Sequence, residues 1–114
     1  MSLKIDVRKI DDVYILDIKG KILLGEGDVK LKETGDEIVN DGGRKIVFNL
    51  EDVPYMDSSG LGEMVRCYTT VKKNGGDLKL ANLMEKLEDL LSITKLITVF
   101  DVYDSVEEAV NSFS

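Results

Sequence analysis

The sequence has no histidine, no tryptophan, one cysteine (Cys67) and one proline (Pro54). Without histidine there is no Ser-His nucleophile, no imidazole acid–base pair and no His-based metal site. A single cysteine excludes an internal disulfide and a cysteine cluster for zinc. The apolar runs are a few residues long, far short of the roughly 20 needed to span a bilayer, so no transmembrane helix and no membrane insertion are expected. The first ten residues carry Lys4, Asp6, Arg8 and Lys9 and lack an apolar core, so no secretory signal is expected either. Basic residues are also scarce: 15 against 22 acidic ones, a net charge of −7. That balance repels phosphate backbones and anionic membrane surfaces, which argues against direct nucleic-acid binding. A cytoplasmic binding or regulatory domain fits these absences, as does an enzyme restricted to carboxylates, lysines and hydroxyls.

What is present is ordinary globular material. The chain has 114 residues, 43% of them apolar and 32% charged, which is one domain (1–114) with enough apolar surface for a core. Leu3 to Ile10 alternates as a half-buried strand, Asp11-Asp12 turns, and Val13 to Ile18 returns as its hairpin partner. Asp28 to Asn40 is helical in spacing, with Val29, Leu31 (or Lys32), Gly35, Ile38 and Val39 as inner positions and Asp28 as a candidate cap. Gly42-Gly43 ends it. Lys45 to Leu50 reads as a central strand, and Ser58 to Asn74 as a helix with an apolar stripe at Leu61, Met64, Val65, Tyr68 and Val71. Asp77 to Ala81 is a strand. Leu83, Leu87, Leu90 and Leu91 form a second stripe, Ile97 to Val102 reads as a last strand, and Ser105 with Glu108 has capping-box spacing. The order implies an α/β fold: a mixed, mostly parallel sheet of about five strands, an N-terminal β-hairpin and about four helices.

Chemistry concentrates in Tyr55-Met56-Asp57-Ser58-Ser59-Gly60-Leu61-Gly62, where a central strand hands over to a helix at the carboxyl end of the sheet. Functional sites favour that place in open α/β sheets. Asp57, Ser58 or Ser59 can cap the helix, whose start tolerates an anion. Gly60 and Gly62 leave the first turn bare for the approach of another chain. Asp-Ser-Ser-Gly is equally an ordinary helix cap. A phosphate-binding loop is excluded because no Gly-Lys-Ser/Thr or basic residue lies in the turn, and a serine nucleophile lacks a base.

In its frame, Asn49-Leu50-Glu51-Asp52-Val53-Pro54-Tyr55-Met56-Asp57-Ser58-Ser59-Gly60-Leu61-Gly62 resembles the signature of STAS domains, in particular of bacterial anti-sigma factor antagonists. The resemblance extends to the opening hairpin, Gly20, Gly75-Gly76, and the Leu-rich helix before Thr94-Lys95-Leu96. It implies a STAS-like fold and a protein that is not an enzyme. It further implies that Ser58, directly after Asp57, is phosphorylated by an anti-sigma factor that is itself a serine kinase, with Ser59 the runner-up site and the favoured cap. The unphosphorylated form would bind that kinase and release the sigma factor. Phosphorylation would abolish binding, and a metal-dependent serine phosphatase would restore it. Nucleotide and magnesium would sit on the kinase, so this chain is expected to need no cofactor and no metal. Asp57, Ser58, Ser59, Gly60, Leu61 and Gly62 are the partner-binding residues implied, with Asp57 placing the Ser58 hydroxyl. The free chain is expected to be a monomer.

One departure bears on the partner. Many antagonists have an aspartate where Gly20-Lys21-Ile22 is here followed by Leu23, and Glu26 or Asp28 are candidates to supply the missing charge. The competing reading is a freestanding STAS-like accessory subunit of a membrane transporter or signalling assembly, since fold alone does not separate the two. A small-ligand or nucleotide binder and an enzyme rank below both. Cys67 reads as a half-buried small residue at the edge of its helix stripe rather than a redox centre. Tyr55 and Met56 are open between core and exposed contact.

Overall fold

The structure, a computed structural model, describes residues 3–113. Its elements run β1 (Lys4–Ile10), β2 (Val13–Lys19), α1 (Gly27–Asn40), β3 (Lys45–Asp52), α2 (Ser58–Lys73), β4 (Asp77–Ala81), α3 (Glu85–Ile93), a single 3-10 turn (Leu96–Thr98), β5 (Asp101–Tyr103) and α4 (Val106–Asn111). The five strands lie in the order β1-β2-β3-β4-β5. The β1–β2 hairpin is antiparallel, and the remaining pairs are parallel. Among the described residues no helix is long and apolar enough to cross a membrane.

Strand alternation divides the core. Leu16 and Ile18 of β2, Ile46, Phe48 and Leu50 of β3, and Leu78 and Leu80 of β4 face one side. There α1 supplies Leu31, Ile38 and Val39, α2 supplies Leu61, Met64, Cys67 and Val71, and α3 supplies Leu87 and Leu91. Burying each such leucine or isoleucine contributes about 1.5–3 kcal/mol, so this face carries most of the stability. On the other side Val13, Ile15, Val47 and Ala81 meet only Ala109 of α4, with Val106, Val110 and Phe113 packed around it. Lys79 is buried on that side. Its Nζ donates to Ser112 Oγ at 2.7 Å and lies 4.5 Å from the Phe113 ring centre and 5.4 Å from that of Tyr103, which offsets the desolvation of its charge.

The sequence reading is corrected at six places. The strand expected over Ile97–Val102 is a 3-10 turn followed by β5, because Lys95 adopts a left-handed conformation (φ 68°) and only Asp101–Tyr103 finds partners on β4. Val29 of α1 is exposed rather than inner, and so is Val7, which the half-buried alternation of β1 puts on its apolar side with Leu3 and Ile5. Asp28 does not cap α1 but lies inside its first turn, where its carboxylate accepts the Gly25 and Val29 amides at 2.9 and 2.8 Å. Cys67 is fully in the core, and burial, reinforced by Glu63, pushes its thiol up to about 12. At α4, Ser105 Oγ does accept the Glu108 amide, but Glu108 reaches back to the Asp104 amide and not to that of Ser105.

Candidate functional site

Two loops meet at the carboxyl end of the sheet. After β2, residues 21–24 run beside residues 55–57, which follow β3. Ile22 and Met56 form a parallel bridge, Ile22 N–H donates to the Tyr55 carbonyl at 3.1 Å, and Asp57 N–H donates to the Ile22 carbonyl at 3.3 Å. Ile22 and Met56 are both fully buried. Alternation then turns the neighbours Leu23, Tyr55 and Asp57 outward.

Asp57 fastens the two loops. It is the N-cap of α2, and its Oδ1 accepts the Gly60 amide at 2.9 Å. Its Oδ2 accepts the Leu24 amide, 33 residues away in sequence, also at 2.9 Å. The Leu24 and Gly60 amides, with that of Ser59 adding to them, hold the carboxyl below the usual aspartate range. Asp57 therefore stays ionised while sharing a rigid corner with the next residue, Ser58.

Ser58 opens α2 and is exposed, while Ser59 is half-buried. Neither serine takes the cap, which corrects the expectation for Ser59. Nor does Asp57 place the Ser58 hydroxyl, since both carboxylate oxygens go to main-chain amides. Gly60 is buried against this chain's own backbone: a Cβ there would run into the Ile22 carbonyl oxygen. The room left by Gly60 is thus filled from within, not kept for another molecule. Leu61 is buried in the core. Gly62 is exposed, with nothing within 4 Å of the position its Cβ would take. Of the six residues expected to bind a partner, Ser58 and Gly62 are on the surface, Asp57 and Ser59 lie partly beneath it, and Gly60 and Leu61 build the platform.

Nothing in the local pattern pointed to Leu24. Its side chain is 74% exposed on a loop pinned by the Asp57 bond, by Gly25 N–H to Asp28 Oδ1 at 2.9 Å and by Asp28 N–H to the Leu23 carbonyl at 3.0 Å. Asp28 Oδ1 is held in that turn by the Gly25 and Val29 amides, whereas Glu26 is exposed and makes no side-chain cap bond. Tyr55 is exposed and Met56 is core. Among the described residues no group of three or more His, Cys, Asp or Glu is placed to hold a metal ion.

A model of the STAS domain matches residues 4–109. The chain belongs to the STAS domain family. This STAS domain is 38% identical over 108 residues to the anti-sigma-B factor antagonist of Bacillus subtilis, covering 90% of this chain and 92% of that relative. It superposes on the crystal structure of a Thermotoga maritima protein provisionally named an anti-sigma factor antagonist, with a TM-score of 0.88 at 31% identity, over 95% of this chain and 92% of that one. In fold alone it also matches the Bacillus anti-sigma factor antagonist SpoIIAA at 16% identity. The TM-score is 0.73 for the unphosphorylated form (96% of this chain, 97% of that one) and 0.76 for the phosphorylated form (97% and 100%). The STAS sheet and helices read from the sequence are therefore the family's own architecture.

Proposed function

We propose that this chain is an anti-sigma factor antagonist whose unphosphorylated form binds an anti-sigma factor serine kinase and so frees a sigma factor. Phosphorylation at Ser58 switches it off, and a serine phosphatase resets it. The observation that carries the reading is the pairing of an exposed Ser58 with an Asp57 whose two oxygens are already committed to the Leu24 and Gly60 amides. The curated relative's name supports the antagonist role.

The switch follows from charge. In the transfer, Ser58 Oγ bonds to the γ-phosphorus of ATP held on the kinase, the bond to ADP breaks, and the hydroxyl proton leaves to a base on the kinase. The product carries about −1.5 to −2 more charge at pH 7. The α2 amides that could hold it, Ser59 and Gly60, already face Asp57, so the phosphate projects outward beside an ionised carboxylate. The fold need not change: SpoIIAA retains it in both forms. Like-charge repulsion and the desolvation cost fall on the interface, and a few kcal/mol of difference empties a complex.

The test is phosphoryl transfer. The chain is mixed with the anti-sigma serine kinase encoded by the same genome and Mg-ATP, then followed by peptide mass spectrometry and size exclusion. One phosphate on Ser58 with loss of a complex is expected. Ser58→Ala should stay bound in ATP, and Ser58→Asp should bind poorly while melting as wild type does. Phosphate on Ser59 would move the switch by one residue. A well-folded chain that no such kinase modifies or binds would sink the reading in favour of an accessory-subunit role.

A further inference from the structure

We propose that Leu24 is the apolar anchor by which the kinase holds this chain, seated in an apolar pocket of the kinase beside its catalytic cleft. This rests on the function proposed above. A kinase that delivers phosphate to Ser58 must cover the surface around it. Leu24 lies inside that footprint, because its amide is bonded at 2.9 Å to the carboxylate of the residue preceding Ser58.

Three features make Leu24 an anchor and not an incidental exposed leucine. It is 74% exposed, whereas the neighbouring Ile22 on the same loop is fully buried, so the apolar side chain is turned out while the core is already filled. Its main chain is rigid: the bond to Asp57, the Gly25–Asp28 bond and the Asp28–Leu23 bond fix the turn on both sides. A side chain displayed on an ordered loop loses little backbone entropy on binding. Leu23 and Tyr55, on the two loops that Asp57 joins, are exposed apolar side chains as well. The bond from the Leu24 amide to Asp57 ties this loop to the residue before Ser58, so a partner that covers Ser58 meets Leu24.

Asp57 acts here as a positioning residue. Asparagine in its place keeps one acceptor oxygen for two amides, so the Leu24 loop or the α2 cap is released.

The experiment titrates the purified kinase, without ATP, with wild type and with Leu24→Ala, Leu24→Gln and Leu24→Met. Leu24→Ala and Leu24→Gln should weaken Kd by about tenfold or more, and Leu24→Met by no more than about threefold. All three should melt as wild type does, since the side chain is outside the core. With ATP, the phosphate should still land on Ser58 but with a lower kcat/KM for Leu24→Ala. Pairing Leu24→Ala with Asp57→Asn should cost little more than the larger single loss, because both remove the same contact. Additive losses would overturn the positioning role of Asp57. If wild type binds and is phosphorylated on Ser58 while Leu24→Ala and Leu24→Gln bind equally well, the anchor is refuted and the switch stands. If the kinase neither binds nor modifies wild type, both fall.

Discussion

At the amino end of the sheet the chain turns back twice on a glycine pair, Gly42-Gly43 after α1 and Gly75-Gly76 after α2. At the carboxyl end it turns on side-chain bonds from Asp28 and Asp57. In each glycine pair the first member has a left-handed backbone (φ 95° and 86°), the usual way to end a helix. The second lies against backbone or core: a Cβ on Gly76 would run into the Arg44 carbonyl, and one on Gly43 into Ile38 and Tyr14. These turns have no side chain to display. The carboxyl-end loops close just as tightly, but their fastenings are carboxylates bonded to amides. That arrangement leaves Leu24, Tyr55 and Ser58 outside. The lesson is that both ends close tightly, and only the carboxyl end displays the side chains on which the proposed switch rests.

The strongest way to break the comparison is to fill the close approaches at both ends. Gly76→Ala should cost about 3 kcal/mol, since the atom in the way is backbone and cannot yield cheaply. Gly60→Ala meets the Ile22 carbonyl in the same way, but it gains about 1 kcal/mol of helix propensity within α2, leaving a net loss of about 2 kcal/mol. Urea unfolding measures both. The two should differ in kind as well as size: Gly60→Ala should disturb the Leu24 and Asp57 amide signals, and Gly76→Ala should lower stability without touching them in the folded fraction. Equal stability for Gly60→Ala and wild type would mean the α2 start does not pack on the Ile22 strand as described.

A smaller effect comes from acid. Asp57 has a lowered folded value, because the Leu24 and Gly60 amides bind its charged form. Its contribution to stability is therefore present in full above the ordinary aspartate value of about 3.9, and is lost as pH falls through the lowered folded value. Two other aspartates share the direction. At Asp12 the bond from Lys45 lowers the value; at Asp17 burial raises it, but bonds from Arg8 and Asn49 outweigh that. The informative quantity is consequently the difference between wild type and Asp57→Asn. Their stabilities should diverge at neutral pH and converge in acid, with the Leu24 and Gly60 amide resonances of wild type titrating together. A constant gap down to pH 2 would show that Asp57 acts by shape and not by charge.

Much of this was legible in the sequence. α2 announced itself by the 3.6-residue stripe of its one buried face, and β3 by a short apolar run, because it is buried on both sides of the sheet. Ile97 to Val102 looked like a strand, yet the backbone turns at Lys95 into a 3-10 turn, and only Asp101, Val102 and Tyr103 pair with β4. Val29 sat at an inner position by spacing and is outside, because the buried stripe runs through Gly27, Leu31, Gly35 and Ile38, and Val29 lies two residues from both Gly27 and Leu31, on the opposite face. At the site, the motif marked the strand-to-helix turn at which the structure places Asp57 as N-cap and Ser58 as the first residue of α2. What it hid was the partner of each group. The Leu24–Asp57 bond joins residues 33 apart, and the space beside Gly60 belongs to Ile22, from another loop. Local rules assign caps and turns; they do not say which distant strand presses on them.

Gly62 sharpens the comparison with the least perturbation. It lies one turn into α2, two residues after Gly60, yet it is exposed and a Cβ there would meet nothing within 4 Å. If glycine served only the fold at this position, Gly62→Ala should simply stabilise the helix, by about 0.8–1 kcal/mol. That gain is expected in urea unfolding. The bare surface then needs another reason, and under the proposed function that reason is close approach of the kinase: the same Gly62→Ala protein should bind the kinase more weakly than wild type despite being more stable. Greater stability with unchanged affinity would leave Gly62 outside the interface and confine the contact to Ser58 and the Leu24 loop.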